Sequence, residues 1–180
     1  MQWVLLATAI ATFGSFSWGI RSFFTAPNGV QPGMRRIQQW GSIGALLQVA
    51  FLAMGHVGFA EIALGFYFAA FLLFWAAVLA NRARPLSLAH STDVPLHLNM
   101  AGPYRWVRHP FYASYMLAWL AGVLATGQWW LLVHAAYMYS LYVGAAREEE
   151  LKFMRSPLGL QYAAYRQRTG AFFPLVIGYC

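Results

Sequence analysis

Long apolar runs separated by short polar clusters set the pattern of this chain, and the runs are too long for strands and almost free of charge. Five of them, roughly Gln2–Ile20, Trp40–His56, Val57–Ala80, Phe111–Ala125 and Gln128–Ala146, approach the ~20 residues that an α-helix needs to cross a bilayer. The second and third runs meet at "GHVGFAE" and the fourth and fifth at "TGQWW", which predicts two tight helical hairpins. The fourth run is short, so its helix either begins before Phe111 or sits tilted. Between the third and fourth runs, residues 81–110 lack helical periodicity and contain Pro85, Pro95 and Pro103, so this stretch reads as largely irregular. Beyond Ala146 a charged extension of the fifth helix is expected, interrupted at Pro157 and Gly159. Tyr162, Tyr165 and Arg166 then recur at helical spacing before Pro174 ends the pattern. No internal repeat or low-complexity tract interrupts the series.

Composition agrees with a bilayer. The 180 residues are 60% hydrophobic and only 9% charged, against about 45–50% and about 25% in ordinary globular domains. A soluble domain is excluded, and the predicted fold is an all-α polytopic membrane protein with about five transmembrane helices and a cytoplasmic C-terminal helical segment. The length suits one domain. The first twenty residues lack a basic leader, because the first positive charge, Arg21, follows the apolar run; they read as a retained helix. A lone cysteine, Cys180, rules out an internal disulfide and is not in a prenylation box.

Charge orients the series. All 12 Lys and Arg fall in 21–40, in 81–110 and from Arg147 onward, and the five-span reading places these three stretches on one face. Cytoplasmic loops collect Lys and Arg, so that face is expected in the cytoplasm, with the N-terminus, the Glu61 turn and the Trp129–Trp130 turn opposite. The net charge of +7 suits anionic membrane lipids; no nucleic-acid partner is expected, and the oligomeric state is left open.

Two polar clusters sit where apolar helices meet the cytoplasmic face. In "GPYRWVRHPFY", Arg105, Arg108 and His109 lie among four aromatic rings, with Pro103 and Pro110 as brackets. Interfacial anchoring accounts for Arg and aromatics there. It accounts less well for His109, for a proline placed to open the next helix, or for Gly102, which lets backbone approach a ligand closely. The second cluster is Arg147-Glu148-Glu149-Glu150, three of the five acidic residues in the chain. Pairing with Lys152 and Arg155 along one helix explains one or two of these carboxylates. Charges at the boundary are costly unless paired, and the hairpin of the fourth and fifth helices makes "RHP" and "EEE" neighbours. His90, Asp93 and His97 have spacing unlike any standard zinc site, and no metal is expected. His56 and His134 read as satisfied histidines between helices.

"GPYRWVRHPFYAS", a return helix, "REEE", "GLQYAAYR" and a final Pro resemble the membrane-embedded methyltransferase superfamily of isoprenylcysteine carboxyl methyltransferases and phospholipid methyltransferases. The resemblance spans Gly102 to Pro174. Arg108, His109, Pro110 and Tyr112 match an R-H-P-x-Y-x-G motif, with Ser114 in place of its Gly, and Glu148 to Glu150 hold the paired Glu that follows. The resemblance implies S-adenosylmethionine as cofactor, bound by Tyr104, Arg108, His109, Pro110, Tyr112, Glu148, Glu149 and Glu150, with His109, Arg147 and Glu149 in catalytic roles. It also implies a division into three N-terminal spans (1–80) and a cofactor-binding catalytic part (81–180). The residue types suit that cofactor: Glu accepts from ribose hydroxyls or an ammonium, Arg or His holds a carboxylate, and Tyr104, Trp106 or Tyr112 offers a ring face to a sulfonium. The expected acceptor is lipid-like or prenylated, as for an isoprenylcysteine carboxyl methyltransferase, with a phospholipid amine or a small thiol as alternatives. Two other classes compete: an NADPH-dependent sterol-reductase-like enzyme, which also carries Arg-His-Pro before a helix, and a non-catalytic scaffold on anionic lipid. The Glu cluster disfavours both.

Overall fold

The computed structural model describes residues 1–25, 29–82, 86–87, 90, 95 and 97–175. Among them six α-helices form: α1 (Gln2–Phe23), α2 (Pro32–Ala53), α3 (Ala60–Ala80), α4 (Pro110–Thr126), α5 (Leu131–Arg155) and α6 (Gly159–Arg168). A 3-10 turn, Gly102–Arg105, precedes α4. Two short strands, β1 (Phe24–Thr25) and β2 (Leu86–Ser87), pair in parallel, tying the end of α1 to the segment after α3. Asp93 and Cys180 lie outside the described residues.

The all-helical expectation holds, with boundaries that differ. The second helix begins at Pro32, eight residues before Trp40, because proline in the first turn needs no hydrogen-bond partner and starts a helix readily. Arg35 and Arg36 therefore belong to a helix, not to a loop. The fourth helix starts at Pro110, and the fifth runs unbroken through the Glu cluster to Arg155. By length and composition α1 and α3 are apolar enough to cross a membrane, while α4 is a shorter apolar helix. The outer faces of these helices expose large apolar side chains such as Trp3, Ile10, Trp18, Phe68 and Leu72, as a lipid-facing surface requires and an aqueous one does not.

The second and third helices do not form the tight hairpin expected of them. They meet at a short turn, but α3 lies mainly along α4, and both α1 and α4 bridge α2 to α3. Small residues decide this. The face of α3 that carries Ala63, Ala70 and Ala77 is buried, and so is the face of α4 that carries Ser114, Ala118, Ala121, Gly122 and Ala125. Two such faces let helix backbones approach closely in lipid, where dispersion rather than the hydrophobic effect drives association. A Cβ at Gly122 would lie 1.8 Å from the Gln48 carboxamide. Gly122 thus admits Gln48 from α2, which donates to the Trp119 carbonyl and accepts from the Tyr67 hydroxyl, each at 3.4 Å.

One end of the bundle gathers the segments without Lys or Arg. Gln2 Nε2 donates to the Leu52 carbonyl at 2.8 Å, the Gly58 amide to Ala125 at 2.8 Å, and Gln128 Nε2 lies 3.2 Å from His56 Nδ1. His134, between helices, sits 2.9 Å from the Trp40 carbonyl oxygen. The opposite end holds the polar clusters.

Candidate active site

Three chain segments converge at the polar end. Residues 106–109 run alongside 170–171: the Gly170 amide donates to the Trp106 carbonyl (3.1 Å), and the Arg108 and His109 amides donate to Gly170 and Ala171 (2.8 and 3.0 Å). This pairing holds Arg108 and His109 extended before Pro110 opens α4. Across from them, α5 presents its glutamates, as the α4–α5 hairpin predicted.

The three carboxylates do different things. Glu150 is an ionic hub: it accepts from Arg108 Nε at 2.9 Å and lies 3.2 Å from His109 Nε2 and 3.5 Å from Arg166 Nε. Glu149 accepts from the Tyr112 hydroxyl and lies 3.4 Å from His109 Nδ1. Glu148 turns away to His90 Nδ1 at 2.6 Å, and its side chain is 54% exposed. Helical geometry explains the division, since Tyr142, Ala145, Glu149 and Phe153 share one face at three- and four-residue spacing.

Both ring nitrogens of His109 therefore face a carboxylate. A neutral imidazole has one N–H and can satisfy one of them; the imidazolium satisfies both. Burial by itself disfavours that charge, but Glu149 and Glu150 outweigh it and hold the His109 pKa above its usual value. Glu150 is shifted the other way: burial opposes its charge, yet the bonds from His109 and Arg108 prevail and lower its pKa to about 2. Arg108 is further engaged by the Thr169 and Arg166 carbonyls, so most of its donors are spent inside the protein.

These residues head a cavity of about 1130 Å³. At its polar end lie Asn81, His97, Asn99, Tyr104, Arg108, His109, Glu149 and Lys152. Its apolar end runs between α1, α2 and α4 past Phe13, Phe16, Ile37, Tyr115 and Trp119. A ladder of rings descends between the two ends: His109 to Tyr112 at 5.7 Å, then Tyr112 to Tyr142 at 5.4 Å, both stacked.

Of the residues expected at a cofactor, Tyr104, Arg108, His109, Pro110, Tyr112 and Glu149 line the cavity. Glu150 supports Arg108 and His109 from behind, and Glu148 lies on the exposed flank. Arg147 is exposed on α5 and is not part of the cavity wall, nor is Trp106, which is 63% exposed. Gly102 has a different role from the one expected: its φ is +57°, and a Cβ there would meet the Ala80 Cβ at 3.1 Å, so it packs the 3-10 turn against α3.

The sequence reading missed Asn81 and Asn99. Asn99 Nδ2 donates to Asn81 Oδ1 and the Ala80 carbonyl (both 2.9 Å), and Asn81 Nδ2 to the Tyr104 hydroxyl at 3.0 Å. Their signal was weak, being two amides in a stretch read only as irregular. Tyr162 was read as helical but not as part of a site. It lines the cavity, and its buried hydroxyl has no hydrogen-bond partner among the described residues. A buried hydroxyl without a partner costs free energy, so this one is suited to a ligand.

A family model described as phospholipid methyltransferase matches residues 54–160, over half of the 180-residue chain. The match takes in α3, α4, α5 and both polar clusters, and leaves α1 and α2 outside. No curated protein and no solved structure shows significant similarity to the chain.

Proposed function

The chain belongs to the phospholipid methyltransferase family, and on that premise we propose that it transfers a methyl group from S-adenosylmethionine to a lipid-like or prenylated acceptor. One observation carries the reading: paired polar clusters stand at the head of a cavity whose other end is apolar and lies among α1, α2 and α4, of which α1 is long and apolar enough to cross a bilayer. A water-soluble cofactor suits the first end, a lipid tail the second.

The residues present fit that cofactor. Tyr104 and Tyr142 offer ring faces for a sulfonium, Glu149 lines the cavity as an acceptor for an ammonium or for ribose hydroxyls, and the Tyr162 hydroxyl has no hydrogen-bond partner among the described residues. S-adenosylmethionine, when bound, supplies an electrophilic methyl group. The chain's own part is to align, to exclude water and to manage one proton; alignment alone lowers such barriers by about 7–11 kcal/mol. His109, with both nitrogens facing carboxylates, acts as a fixed cation that orients Glu149 and is not free to serve as a base. Glu149 is the group placed to take a proton from an amine acceptor; a carboxylate or thiolate acceptor needs no base. Arg147 keeps a place only as a peripheral cation.

S-adenosylhomocysteine is expected to raise the melting temperature of the detergent-solubilised protein, and NADPH to leave it unchanged; the reverse would favour a reductase. His109→Ala should weaken S-adenosylhomocysteine about ten- to a hundredfold by calorimetry, the consequence of losing a hydrogen bond to a charged group. Arg35→Ala, outside the cavity wall, should leave it alone.

The proposed topology has five spans, with the polar end in the cytoplasm, as the one-sided Lys and Arg imply. In a Cys180→Ser background, Gln128→Cys should react with an impermeant thiol reagent from the non-cytoplasmic side. Reaction only from the cytoplasm would reverse this arrangement.

A further inference from the structure

The α1 and α2 walls of the cavity carry polar side chains, which the motif-bearing half of the chain does not supply. Ser17 and Arg21 on α1, and Gln38 and Ser42 on α2, all line the cavity. Each pair is spaced by four residues, one helical turn, so each forms a stripe along its helix. All four are exposed, on the α1 and α2 walls of the cavity, and none has a hydrogen-bond or ion-pair partner among the described residues.

Arg21 is the single charged residue among positions 1–34. Interfacial anchoring suffices for a cation at a helix end, and it describes Arg35 and Arg36, which start α2 outside the cavity wall; Arg35 Nε donates to the Val30 carbonyl at 3.1 Å. It gives no reason for Ser17, Gln38 and Ser42 to sit on apolar helices and face the same opening as Arg21. Polar groups in that position mark a path for something polar.

The cavity's charge indicates what that is. Arg21, Arg108, His109 and Lys152 line it against one carboxylate, Glu149. Arg108 and His109 are committed to the glutamates, whereas Arg21 is not. We propose that the gap between α1 and α2 is the acceptor's portal, and that Arg21, with Ser17, Gln38 and Ser42, is a specificity subsite for an anionic group on an amphiphile whose tail stays beside Ala45 and Leu46. The anion is either a phosphodiester or a carboxylate, both of which an arginine fork matches. The inference rests on the methyltransferase reading of the cavity. It assigns choice of acceptor to α1 and α2, the part of the chain outside the family match.

Three probes with one tail test it: hexadecyl methyl phosphate, palmitate and hexadecanol. Their equilibrium binding is measured in neutral-detergent micelles and corrected with empty micelles. The wild-type protein should hold at least one anionic probe about tenfold more tightly than hexadecanol, the scale of a charge-assisted hydrogen bond. Arg21→Gln should abolish that preference and Arg21→Lys retain most of it, with S-adenosylhomocysteine affinity the same in both as a check on folding. A preference for the phosphate or for palmitate names the anion. If Arg21→Gln does not fold, Ser17→Ala combined with Ser42→Ala should still reduce the preference, by about two- to threefold. Equal binding of hexadecanol by the wild type, or an undiminished preference in the variants, overturns the portal. Failure of the wild type to bind S-adenosylhomocysteine while anion preference depends on Arg21 would instead remove the methyltransferase reading and leave the subsite standing.

Discussion

Glu150→Gln should cost about 3–5 kcal/mol of stability, the penalty for removing one partner of a buried ion pair. In a chain of this length that corresponds to a fall of about 6–20 °C in the thermal midpoint. The size follows from what is left behind. The Arg108 and Glu150 side chains are only 9% and 14% exposed, and the amide that replaces the carboxylate leaves Arg108 and His109 as neighbouring buried cations. Acid should reproduce part of the effect. Because the Glu150 pKa is lowered to about 2 from 4.5 in the folded protein, its contribution is fully present above pH 4.5 and disappears as pH falls towards 2. His109 works with the opposite sign. Its pKa is raised from 6.5, so its contribution is complete below pH 6.5 and fades as pH rises through the folded-state value. The melting temperature measured against pH should therefore be highest between about 4.5 and 6.5, and Glu150→Gln should flatten the acid side of that profile. A variant as stable as the wild type at pH 6 would show that the hub contributes nothing.

Glu149→Gln, one residue earlier, should leave the fold intact and act on chemistry. Glu149 faces the cavity with Tyr112 and His109 as its partners, and the isosteric amide can still accept from Tyr112. What it cannot do is take a proton. With a phospholipid amine as acceptor, methyl transfer should fall by about 10²–10⁴-fold, the usual worth of a positioned general base. A prenylated cysteine carboxylate needs no base, so its transfer should fall only about ten- to a hundredfold through the weakened cofactor contact. Incorporation of radiolabelled methyl into the two acceptors measures both numbers. Glu148→Gln, altering an exposed carboxylate that points at His90, should stay within about twofold of wild type. Undiminished transfer by Glu149→Gln to both acceptors would remove Glu149 from the site.

Much of this arrangement was legible in the residues, because its logic is local. Apart from the start of α2, apolar runs marked where the helices begin within a few positions, and the short link between the fourth and fifth runs was enough to bring His109 opposite the glutamates. What the runs could not convey was which helix lies between which. The short turn after α2 suggested a pairing with α3, whereas contact in lipid is decided by small faces, and Ala63 and Ala70 of α3 are met by Ala118, Ala121 and Ala125 of α4. The start of α2 was obscured because Arg35 and Arg36 look like loop residues; Pro32 was the available signal. Nor does a triplet of identical residues declare its division of labour. Each step along a helix turns a side chain by about 100°, so Glu149 faces the cavity, Glu150 the arginine behind it, and Glu148 the flank. The same rotation carries Arg147 outward. The asparagines that steady Tyr104 belong to no pattern at all, since Asn81 and Asn99 find each other across a stretch without periodicity.

The pairing of residues 106–109 with 170–171 has a consequence for the time at which this site comes into being. A chain emerging from the ribosome presents Arg108 and His109 some sixty residues before the backbone that straightens them, an interval of roughly 3–12 s at ordinary rates of synthesis. During that interval α4 and α5 are already synthesised, yet Arg108 has no Thr169 carbonyl to meet and His109 no Ala171 carbonyl to brace its amide. The polar head of the cavity is therefore completed late in synthesis, when the segment after α6 docks.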